Sequence, residues 1–405
     1  MFQRNASATS STIGCFDARC SCGGSSCTCK NDQCGYSVRY LEGSSTSGFL
    51  TEDLLAVGDG GPAAKLVFGC AQSETGLLRD QSADGIFGMG RSPVSLHGQL
   101  VGQGIIDDVF SMCLGAPKEG VLLLGNVALP ADAPAPVVTP VVGGTNRYNL
   151  QIEGLTFNGQ QLVSGQTWFS YGLGTIWDSG TTFSYFTRSV FNLLVGAIRR
   201  HVEANPDLVS APGPYSDDIC WSGAPAGDAS KLGPYFPGLE LLLAGGVRLA
   251  RAPLHYLYPN GAAWCLAFFD NAYSSTVLGA NMLLDTVATY DGRLTQMRFT
   301  AYECDRLSVA LAVTGHDSSN ITIPAADINC NSSAYHAPSG AQAVQALAAA
   351  CIPTAALKPA TVASTSYEEV TAAVNQHARI PGVRWTCIDH IDHAECWDAG
   401  KRVIT

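Results

Sequence analysis

The sequence contains few charged residues, and the basic ones are the scarcer kind. Its 405 residues include 23 Lys and Arg against 34 Asp and Glu, which gives a formal net charge of −11, and only 14% of the residues are charged. Proteins that bind nucleic acids concentrate Lys and Arg on one surface to neutralise phosphates. Because this sequence has no cluster of basic residues, its composition argues against a nucleic-acid-binding role.

Long apolar runs are also missing. No run reaches the roughly 20 residues that a membrane-spanning helix requires, and the apolar stretch at 343–363 is broken by Pro353, Lys358 and Pro359. The first twenty residues lack the apolar core of a signal peptide. We therefore predict no membrane span, and expect either a cytosolic protein or one whose natural N-terminus lies upstream of Met1.

The signatures of several other enzyme classes do not occur. The sequence has no Gly-x-Ser-x-Gly of a serine hydrolase, no His-Glu-x-x-His of a zinc protease and no Gly-x-x-x-x-Gly-Lys of a phosphate-binding loop. These enzyme classes are therefore not supported.

Cysteine, by contrast, is abundant. Six of the 15 cysteines lie within residues 15–34, a density typical of disulfide-linked loops in an oxidising compartment. A zinc site on the Cys-x-Cys pairs at 20–29 is the alternative, but zinc sites favour spacers of two to four residues. Three Asn-x-Ser/Thr sequons, which fit the same compartment, begin at Asn5, Asn320 and Asn331. We predict disulfides, glycosylation and a secreted, cell-wall or vacuolar location.

Short apolar or alternating runs, separated by Gly, Pro, Asn and Asp, fill the first 300 residues. This spacing is typical of an all-β protein. The clearest runs lie at 36–40, 65–68, 121–124, 148–152 and 288–290. Apolar residues at helical spacing predict one helix over 189–201 and a weaker one from Ser95 to Leu100.

A proline-rich segment at 130–136, followed by Pro140, is the predicted linker, since each Pro fixes φ and cannot donate to a sheet. We predict an N-terminal lobe over 1–140 and a C-terminal lobe over 141–304. Residues 305–405 are rich in Ala and Ser and contain the last four cysteines. We predict that they form an extension of unknown role.

The sharpest motif is Asp-Ser-Gly-Thr-Thr at 178–182, which follows the apolar stretch Thr-Ile-Trp at 175–177. A strand here delivers Asp178 to a turn in which Gly180 permits a close approach of the chain, and the following hydroxyl residues can support the carboxylate. By itself the tripeptide Asp-Ser-Gly also fits an ordinary turn.

With its surroundings this motif resembles the active-site sequence of pepsin-like aspartic peptidases (family A1), most closely the nepenthesin-like branch of plants. In the N-terminal half, the matching features are a flap-like hairpin at 40–48, segments at 68–70 and 110–114 that look like a strand pair, and an apolar-apolar-Gly signature at 84–91. In the C-terminal half, they are the motif at 178–182 with the helix that follows it, a second apolar-apolar-Gly signature at 277–281 and a final cysteine, Cys304. The resemblance covers residues 8–304.

The resemblance implies an all-β, bilobal pepsin-like fold, with an extended peptide-binding cleft and one catalytic Asp in each lobe. Two neighbouring carboxylates share a proton, so that one activates a water and the other polarises the scissile carbonyl. It implies no cofactor, no metal, a protein or peptide substrate and a monomer. The implied site residues are catalytic Asp178 and the substrate-binding residues Tyr40, Gly43, Ser44, Gly180, Thr181 and Thr182.

Some implied roles have alternatives. Tyr40 is implied to close over bound peptide as the flap tyrosine, whereas a hairpin aromatic that packs on its own lobe would look the same in sequence. Relatives also imply disulfides of Cys70 with Cys113 and of Cys220 with Cys265 or Cys304, although sequence alone does not fix cysteine pairing. In the extension, the segment Cys387 to Cys396 contains His and acidic residues that suit zinc, but a disulfide loop with solvated charges is the simpler interpretation.

The sequence departs from the family in one respect, because it contains no second Asp-Thr/Ser-Gly. In relatives the first catalytic Asp precedes the cysteine-rich loop, and this sequence starts just inside that loop. We therefore expect the first Asp upstream of Met1 and an incomplete N-terminal lobe. Two hypotheses result: an aspartic endopeptidase that acts at acidic pH, with Asp178 as its second Asp, or a non-catalytic pepsin-fold binding protein similar to xylanase inhibitors.

Overall fold

The computed structural model describes residues 2, 4–22, 26–40, 44–56, 63–79, 85–115, 120–304, 307, 346–347 and 388–389. These residues divide into two compact units. The first consists of Met1–Pro134, Asp285–Leu294 and Ala301–Thr405, and the second of Ala135–Leu284 and Thr295–Thr300. The lobe limits predicted from the sequence remain a proposal.

The elements of residues 1–134 are mostly strands. They are β1 (Ser11–Thr12), β2 (Ser26–Lys30), β3 (Gln33–Arg39), β4 (Ser45–Ala56), β5 (Ala63–Thr75), β6 (Phe87–Gly88), helix α1 (Leu96–Gly102), β7 (Val109–Leu114) and β8 (Gly120–Leu124).

Strands also dominate residues 135–284. They are β9 (Val137–Val142), β10 (Asn149–Leu150), β11 (Ile152–Phe157), β12 (Gln160–Ser164), β13 (Thr175–Trp177), β14 (Ser184–Phe186), helix α2 (Arg188–Glu203), β15 (Val209–Ala211), β16 (Cys220–Ser222), β17 (Leu239–Leu243), β18 (Val247–Arg251), β19 (Leu257–Asn260), β20 (Ala263–Leu266), β21 (Phe268–Asp270) and β22 (Thr276–Leu278).

The remaining strands and the short 3₁₀ helices complete the description. The strands are β23 (Thr286–Asp291), β24 (Gln296–Ala301), β25 (Ala346–Leu347) and β26 (Ile388–Asp389). The 3₁₀ helices are Arg4–Ala6, Gly76–Arg79, Gln166–Phe169, Ala229–Lys231, Pro253–His255 and Ala280–Leu283. The all-β class predicted from the sequence is confirmed, and both predicted helices are present.

The first unit is built on antiparallel strands. In one sheet the order is β1-β4-β3-β2, with β5 on the other side of β4, and a second group follows the order β23-β7-β8-β25. Strand β6 pairs in parallel with β26. Ile13, Cys34 and Leu50 form a buried cluster over the first sheet, so apolar side chains on one face of β3 and β4 supply its core.

The second unit contains three groups of strands. Their orders are β21-β14-β22-β13-β10-β9-β24, β12-β11-β17-β18 and β15-β16-β20-β19. Helix α2 buries an apolar stripe at helical spacing against them, formed by Val190, Leu194, Ala197, Ile198 and Val202. The described helices include none that is long and apolar enough to span a bilayer.

The cysteine-rich segment forms three disulfides, Cys15–Cys29, Cys20–Cys34 and Cys22–Cys27. All four cysteines of the Cys-x-Cys pairs are therefore bonded to sulfur. A disulfide sulfur is not the thiolate that binds zinc, so disulfides, and not zinc, hold this segment.

Two further disulfides decide the pairing that the family resemblance left open. Cys220 pairs with Cys265 across neighbouring strands β16 and β20. The implied bond between Cys70 and Cys113 is wrong, because Cys113 is bonded to Cys304, and Cys70 forms no disulfide with any of the described cysteines. Strand β7 carries Cys113 beside β23, whose chain leads on to Cys304, whereas Cys70 lies on β5.

Three smaller expectations also need correction. Segments 68–70 and 110–114 are strands but not partners, since β5 pairs with β4 while β7 pairs with β23 and β8. Pro140 is not in a linker: it lies in β9, opposite Gln296 of β24. The predicted strand at 148–152 is split at Gln151 into β10 and β11.

The predicted extension lies outside the described residues, apart from Leu307, β25 and β26.

Candidate active site

Strand β13 delivers Asp178 to the interior of the second unit. It pairs with β10 on one edge and in parallel with β22 on the other, and all three of its residues are buried, as is typical of a strand with packing on both faces. Trp177 packs against Phe299 with ring centroids 4.6 Å apart. The Asp178 amide then donates to the Leu278 carbonyl at 2.8 Å, which fixes the point where the strand ends and the turn begins.

The turn that follows holds the Asp178 carboxylate with three hydrogen bonds. One oxygen, Oδ1, accepts from the backbone amides of Gly180 (2.9 Å) and Thr181 (3.1 Å), and Oδ2 accepts from the Thr181 hydroxyl at 2.7 Å. The residue is only 2% exposed. Backbone donors cannot rotate away, so the carboxylate is held in one orientation.

A second segment, which begins at Gly279, fixes this turn from the other side. The Ala280 amide donates to the Thr181 carbonyl at 2.6 Å, and the Asn281 amide donates to the Thr182 carbonyl at 3.1 Å. Gly279 itself has no room for a side chain, because an added Cβ would lie 2.1 Å from the Phe183 carbonyl oxygen. Strand β22 and the Asp178 turn therefore form one rigid unit.

Two buried polar residues complete the support, and neither was predicted as a site residue, although Asn281 ends the motif at 277–281. The Ser184 hydroxyl donates to Asn281 Oδ1 at 2.8 Å and accepts from the Gly279 amide at 3.0 Å. The Asn281 amide group donates to the carbonyls of His255 (2.7 Å) and Ala267 (3.4 Å). A sequence signal existed: each is a polar residue inside an otherwise apolar stretch, and buried polar groups need partners.

The other predicted site residues lie in the first unit. The Tyr40 amide donates to the Ser44 carbonyl at 2.9 Å, which closes the end of the β3–β4 hairpin. Both residues are buried, Tyr40 to 5% exposed and Ser44 to 2%, and Gly43 lies outside the described residues. The structure thus brings Tyr40 and Ser44 together in one hairpin, and Asp178, Gly180, Thr181 and Thr182 together in the Asp178 turn.

A buried histidine lies beneath the candidate site. The carbonyl of His255 accepts from Asn281, and the His255 Nε2 lies 2.8 Å from the Leu284 carbonyl oxygen. Burial, with the neighbouring Arg251 guanidinium adding to it, lowers the pKa of His255 to about 3. Burial likewise lowers the pKa of Arg251 to about 9. The histidine is therefore neutral in the folded protein at any pH well above 3.

This histidine makes the second unit sensitive to acid. In the unfolded chain His255 takes up a proton near pH 6.5, whereas in the folded protein it does so only near pH 3. Its contribution to the free energy of unfolding is therefore fully present above pH 6.5 and decreases as the pH falls toward 3. Between pH 7 and pH 5 this titration lowers the free energy of unfolding by about 2 kcal/mol. We expect His255→Gln, whose side-chain amide can donate to the Leu284 carbonyl, to abolish that part of the pH dependence. Urea unfolding at both pH values tests this, and an identical pH dependence of the two proteins would refute it.

Comparison with known proteins places the chain in a family. A family model described as xylanase inhibitor N-terminal matches residues 1–126, and one described as xylanase inhibitor C-terminal matches residues 147–301. Nepenthesin-1, an aspartic proteinase of Nepenthes gracilis, is 27% identical over 75% of this chain and 68% of its own length. The chain belongs to the pepsin-like aspartic peptidase family. The family predicted from the sequence is confirmed.

A solved structure supports the pepsin-like fold. Basic 7S globulin from soybean matches with a TM-score of 0.59 at 19% identity, over 75% of this chain and 86% of that chain. Aspartic proteinase 39 of Arabidopsis thaliana is 34% identical over 49% of this pepsin-like chain and 43% of its own length. The chain spans about half the length of the first curated relatives it matches, 43%, 46% and 53%.

Proposed function

We propose that the protein is an aspartic endopeptidase that cleaves proteins or peptides at acidic pH, with Asp178 as one of its two catalytic carboxylates. The observation that supports this most directly is the Asp178 carboxylate itself, buried and held by two backbone amides and one hydroxyl. Burying a carboxylate is costly unless it is hydrogen-bonded, and these donors hold it in the turn that the family resemblance assigns to a catalytic Asp.

Asp178 would act with a second carboxylate. In such a pair one carboxylate takes the proton of an attacking water, and the other, protonated, donates to the scissile carbonyl. Gly180 and Thr181 hold the Asp178 oxygens in place, while Tyr40, Gly43, Ser44 and Thr182 are proposed to contact the substrate. This chemistry uses carboxylates alone, so we propose no cofactor and no metal ion.

The protein is proposed to work as a monomer in a secreted, cell-wall or vacuolar setting. The five disulfides among the described cysteines support an oxidising compartment. Asn5 is exposed, and its sequon is a proposed glycosylation site.

Cleavage of a fluorogenic peptide at acidic pH tests the proposal. We expect no cleavage by the 405-residue chain alone, because the sequence offers one Asp-Ser-Gly and no second motif of this type. Joined to an N-terminal segment that carries an Asp-Thr-Gly, the chain should cleave the peptide. The same protein with Asp178→Asn should lose about a thousandfold or more of that activity, as other single catalytic groups do.

Asp178→Asn is the right variant because it preserves the hydrogen bonds of the turn. The amide oxygen can still accept from Gly180 and Thr181, and the amide nitrogen can donate to the Thr181 hydroxyl oxygen. Asp178→Ala instead leaves three donors without an acceptor and should cost roughly 3 kcal/mol of stability. Cleavage by the Asp178→Asn protein, or by the 405-residue chain in a manner that depends on Asp178, would contradict the two-carboxylate proposal.

A non-catalytic binding protein of the same fold is the second candidate. The family models that match this chain are described as xylanase inhibitor domains, which favours this alternative. A xylanase is the probe: tight binding that survives Asp178→Asn, with no peptide cleavage by either form, would support a binding protein over a peptidase.

A further inference from the structure

Two disulfides fasten the loop at 16–22 to the hairpin formed by β2 and β3. They are Cys20–Cys34 and Cys22–Cys27. The chain immediately before the loop is held to the same hairpin by the remaining disulfide of the cysteine-rich segment. The position of the loop therefore depends on two bonds, one to each strand of the hairpin.

These two bonds differ in how far a reagent can reach them. Cys27 is exposed and Cys22 is half-buried, whereas Cys34 is wholly buried. Among the described strands, β2 is the edge of its sheet, because it pairs with β3 alone. A sheet edge leaves room for another protein to approach. Since exposed disulfides are the labile ones, Cys22–Cys27 is the bond that a reductant in solution meets first.

Loop length favours opening of the same bond. Cys22–Cys27 closes a separation of 5 positions, whereas Cys20–Cys34 closes one of 14. The loop-closure entropy that a disulfide removes from the unfolded chain grows with the logarithm of this separation, and the difference amounts to about fivefold in the equilibrium constant. The exposed bond is therefore also the less stabilised one.

The sulfur atoms of the two bonds lie close together. In the β2–β3 register Cys27 is opposite Tyr36, and Cys34 is two residues before Tyr36 on β3. Cys27 and Cys34 therefore project from one face of the hairpin as diagonal neighbours. The Sγ atoms of Cys20, Cys27 and Cys34 all lie within 4.8 Å of one another. A thiolate released at Cys27 reaches the second bond after a small movement of side chains.

We propose that Cys22–Cys27 is a thiol–disulfide exchange site for a protein dithiol, and that Cys27 passes the reduction on to the buried bond. A thiolate of the dithiol attacks Cys22 Sγ, the Cys22–Cys27 bond breaks, and Cys27 leaves as a thiolate. The Cys27 thiolate attacks Cys34 Sγ, a Cys27–Cys34 bond forms, and Cys20 leaves as a thiolate that takes up a proton.

The second thiol of the dithiol completes the reaction. As a thiolate it attacks the sulfur of its own molecule that is bonded to Cys22, so that the dithiol becomes a disulfide and Cys22 leaves as a thiolate that takes up a proton. One dithiol is oxidised and the chain gains two thiols, on Cys20 and Cys22. Atoms and electrons therefore balance with the dithiol as the only co-reactant.

A single dithiol thus releases both bonds that hold the loop at 16–22. The new Cys27–Cys34 bond joins the two strands of the hairpin to each other and leaves the loop attached only through the bond that precedes it. The released loop includes Phe16, which is 94% exposed. Direct reduction of Cys22–Cys27 alone would instead leave Cys20–Cys34 in place. The exchange therefore makes the position of this exposed aromatic side chain sensitive to reduction.

The test treats the folded full chain with reduced thioredoxin, a protein dithiol, until one disulfide per chain has been lost. Alkylation of the thiols and peptide mapping then locate the products. We expect the alkyl label on Cys20 and Cys22, and a peptide in which Cys27 is bonded to Cys34. The buried bond Cys220–Cys265 is the internal control and should stay closed.

Matched variants separate the exchange from direct reduction. In Cys22→Ser the Cys27 thiol is present without any reductant, and mapping should find Cys27 bonded to Cys34 with a thiol on Cys20. In Cys27→Ser the thiol lies on Cys22, which is not in the group of three neighbouring sulfurs, and Cys20–Cys34 should stay intact. Replacing both Cys22 and Cys27 by alanine should abolish the labelling of Cys20 by thioredoxin treatment.

Three results would overturn the proposal. They are a Cys22–Cys27 bond that thioredoxin leaves closed, first thiols on Cys22 and Cys27, and labelling of Cys20 that is as fast when both Cys22 and Cys27 are alanine. Because these cysteines share no residue with the Asp178 turn, any of these results leaves the proposed peptidase function untouched.

Discussion

Replacing both Cys113 and Cys304 by alanine is expected to lower the free energy of unfolding by about 5 kcal/mol. The bond joins residues 191 positions apart, and the loop-closure entropy that a disulfide removes from the unfolded chain grows with the logarithm of loop length. Both cysteines are buried, in a cluster with Val287 and Leu307. The bond therefore ties Cys304, which follows β23 and β24, back to strand β7.

A matched control lies in the cysteine-rich segment. Cys22–Cys27 spans only five positions, and the same relation gives about 2 kcal/mol for its removal. Urea unfolding of the two double-alanine proteins, each against the unchanged chain, measures both effects. Equal losses for the long and the short loop would contradict the entropic account.

The second large effect is expected at Gly279. In Gly279→Ala the new Cβ would lie 2.1 Å from the Phe183 carbonyl oxygen and 2.6 Å from that of Thr181, both of them backbone atoms that cannot rotate away. Strand β22 would have to move off the Asp178 turn and break the hydrogen bond between Ala280 and Thr181. We expect the free energy of unfolding to fall by at least about 3 kcal/mol, which is the upper end of the usual cost of overpacking a core.

The first unit supplies the control for this substitution. Gly88 ends the other apolar-apolar-Gly signature, but a Cβ added there meets nothing within 4 Å. Gly88→Ala should therefore change stability by less than about 0.5 kcal/mol. Thermal or urea unfolding distinguishes the two variants, and an Ala at position 279 that is as well tolerated as one at 88 would contradict the close approach.

Several features could be predicted because they depend on neighbours in sequence. The helix predicted over 189–201 is Arg188–Glu203 in the structure, since an apolar stripe at helical spacing must be buried on one face. The weaker helix begins at Leu96, with the Ser95 side chain accepting from the Gly98 amide as its N-cap. The Asp178 turn was predicted for the same reason, because a carboxylate, a glycine and hydroxyl residues lie within five positions.

Other predictions failed where the outcome depends on distant parts of the chain. The bond from Cys70 to Cys113 was wrong because pairing follows strand neighbours, and β7 lies beside β23 and not beside β5. Ser184 and Asn281 were missed because their hydrogen bonds join positions nearly a hundred residues apart.

The sequence by itself determined the all-β class, the two helices, the position of Asp178 at the end of a buried strand and the membership of the pepsin-like family. Each of these follows from the order and the local spacing of residues. The tertiary structure alone decided the disulfide partners, the close approach of Gly279 to the Asp178 turn and the burial that keeps His255 neutral. These depend on which strands become neighbours, and that choice is made by burying apolar surface across the whole chain, not by any local pattern.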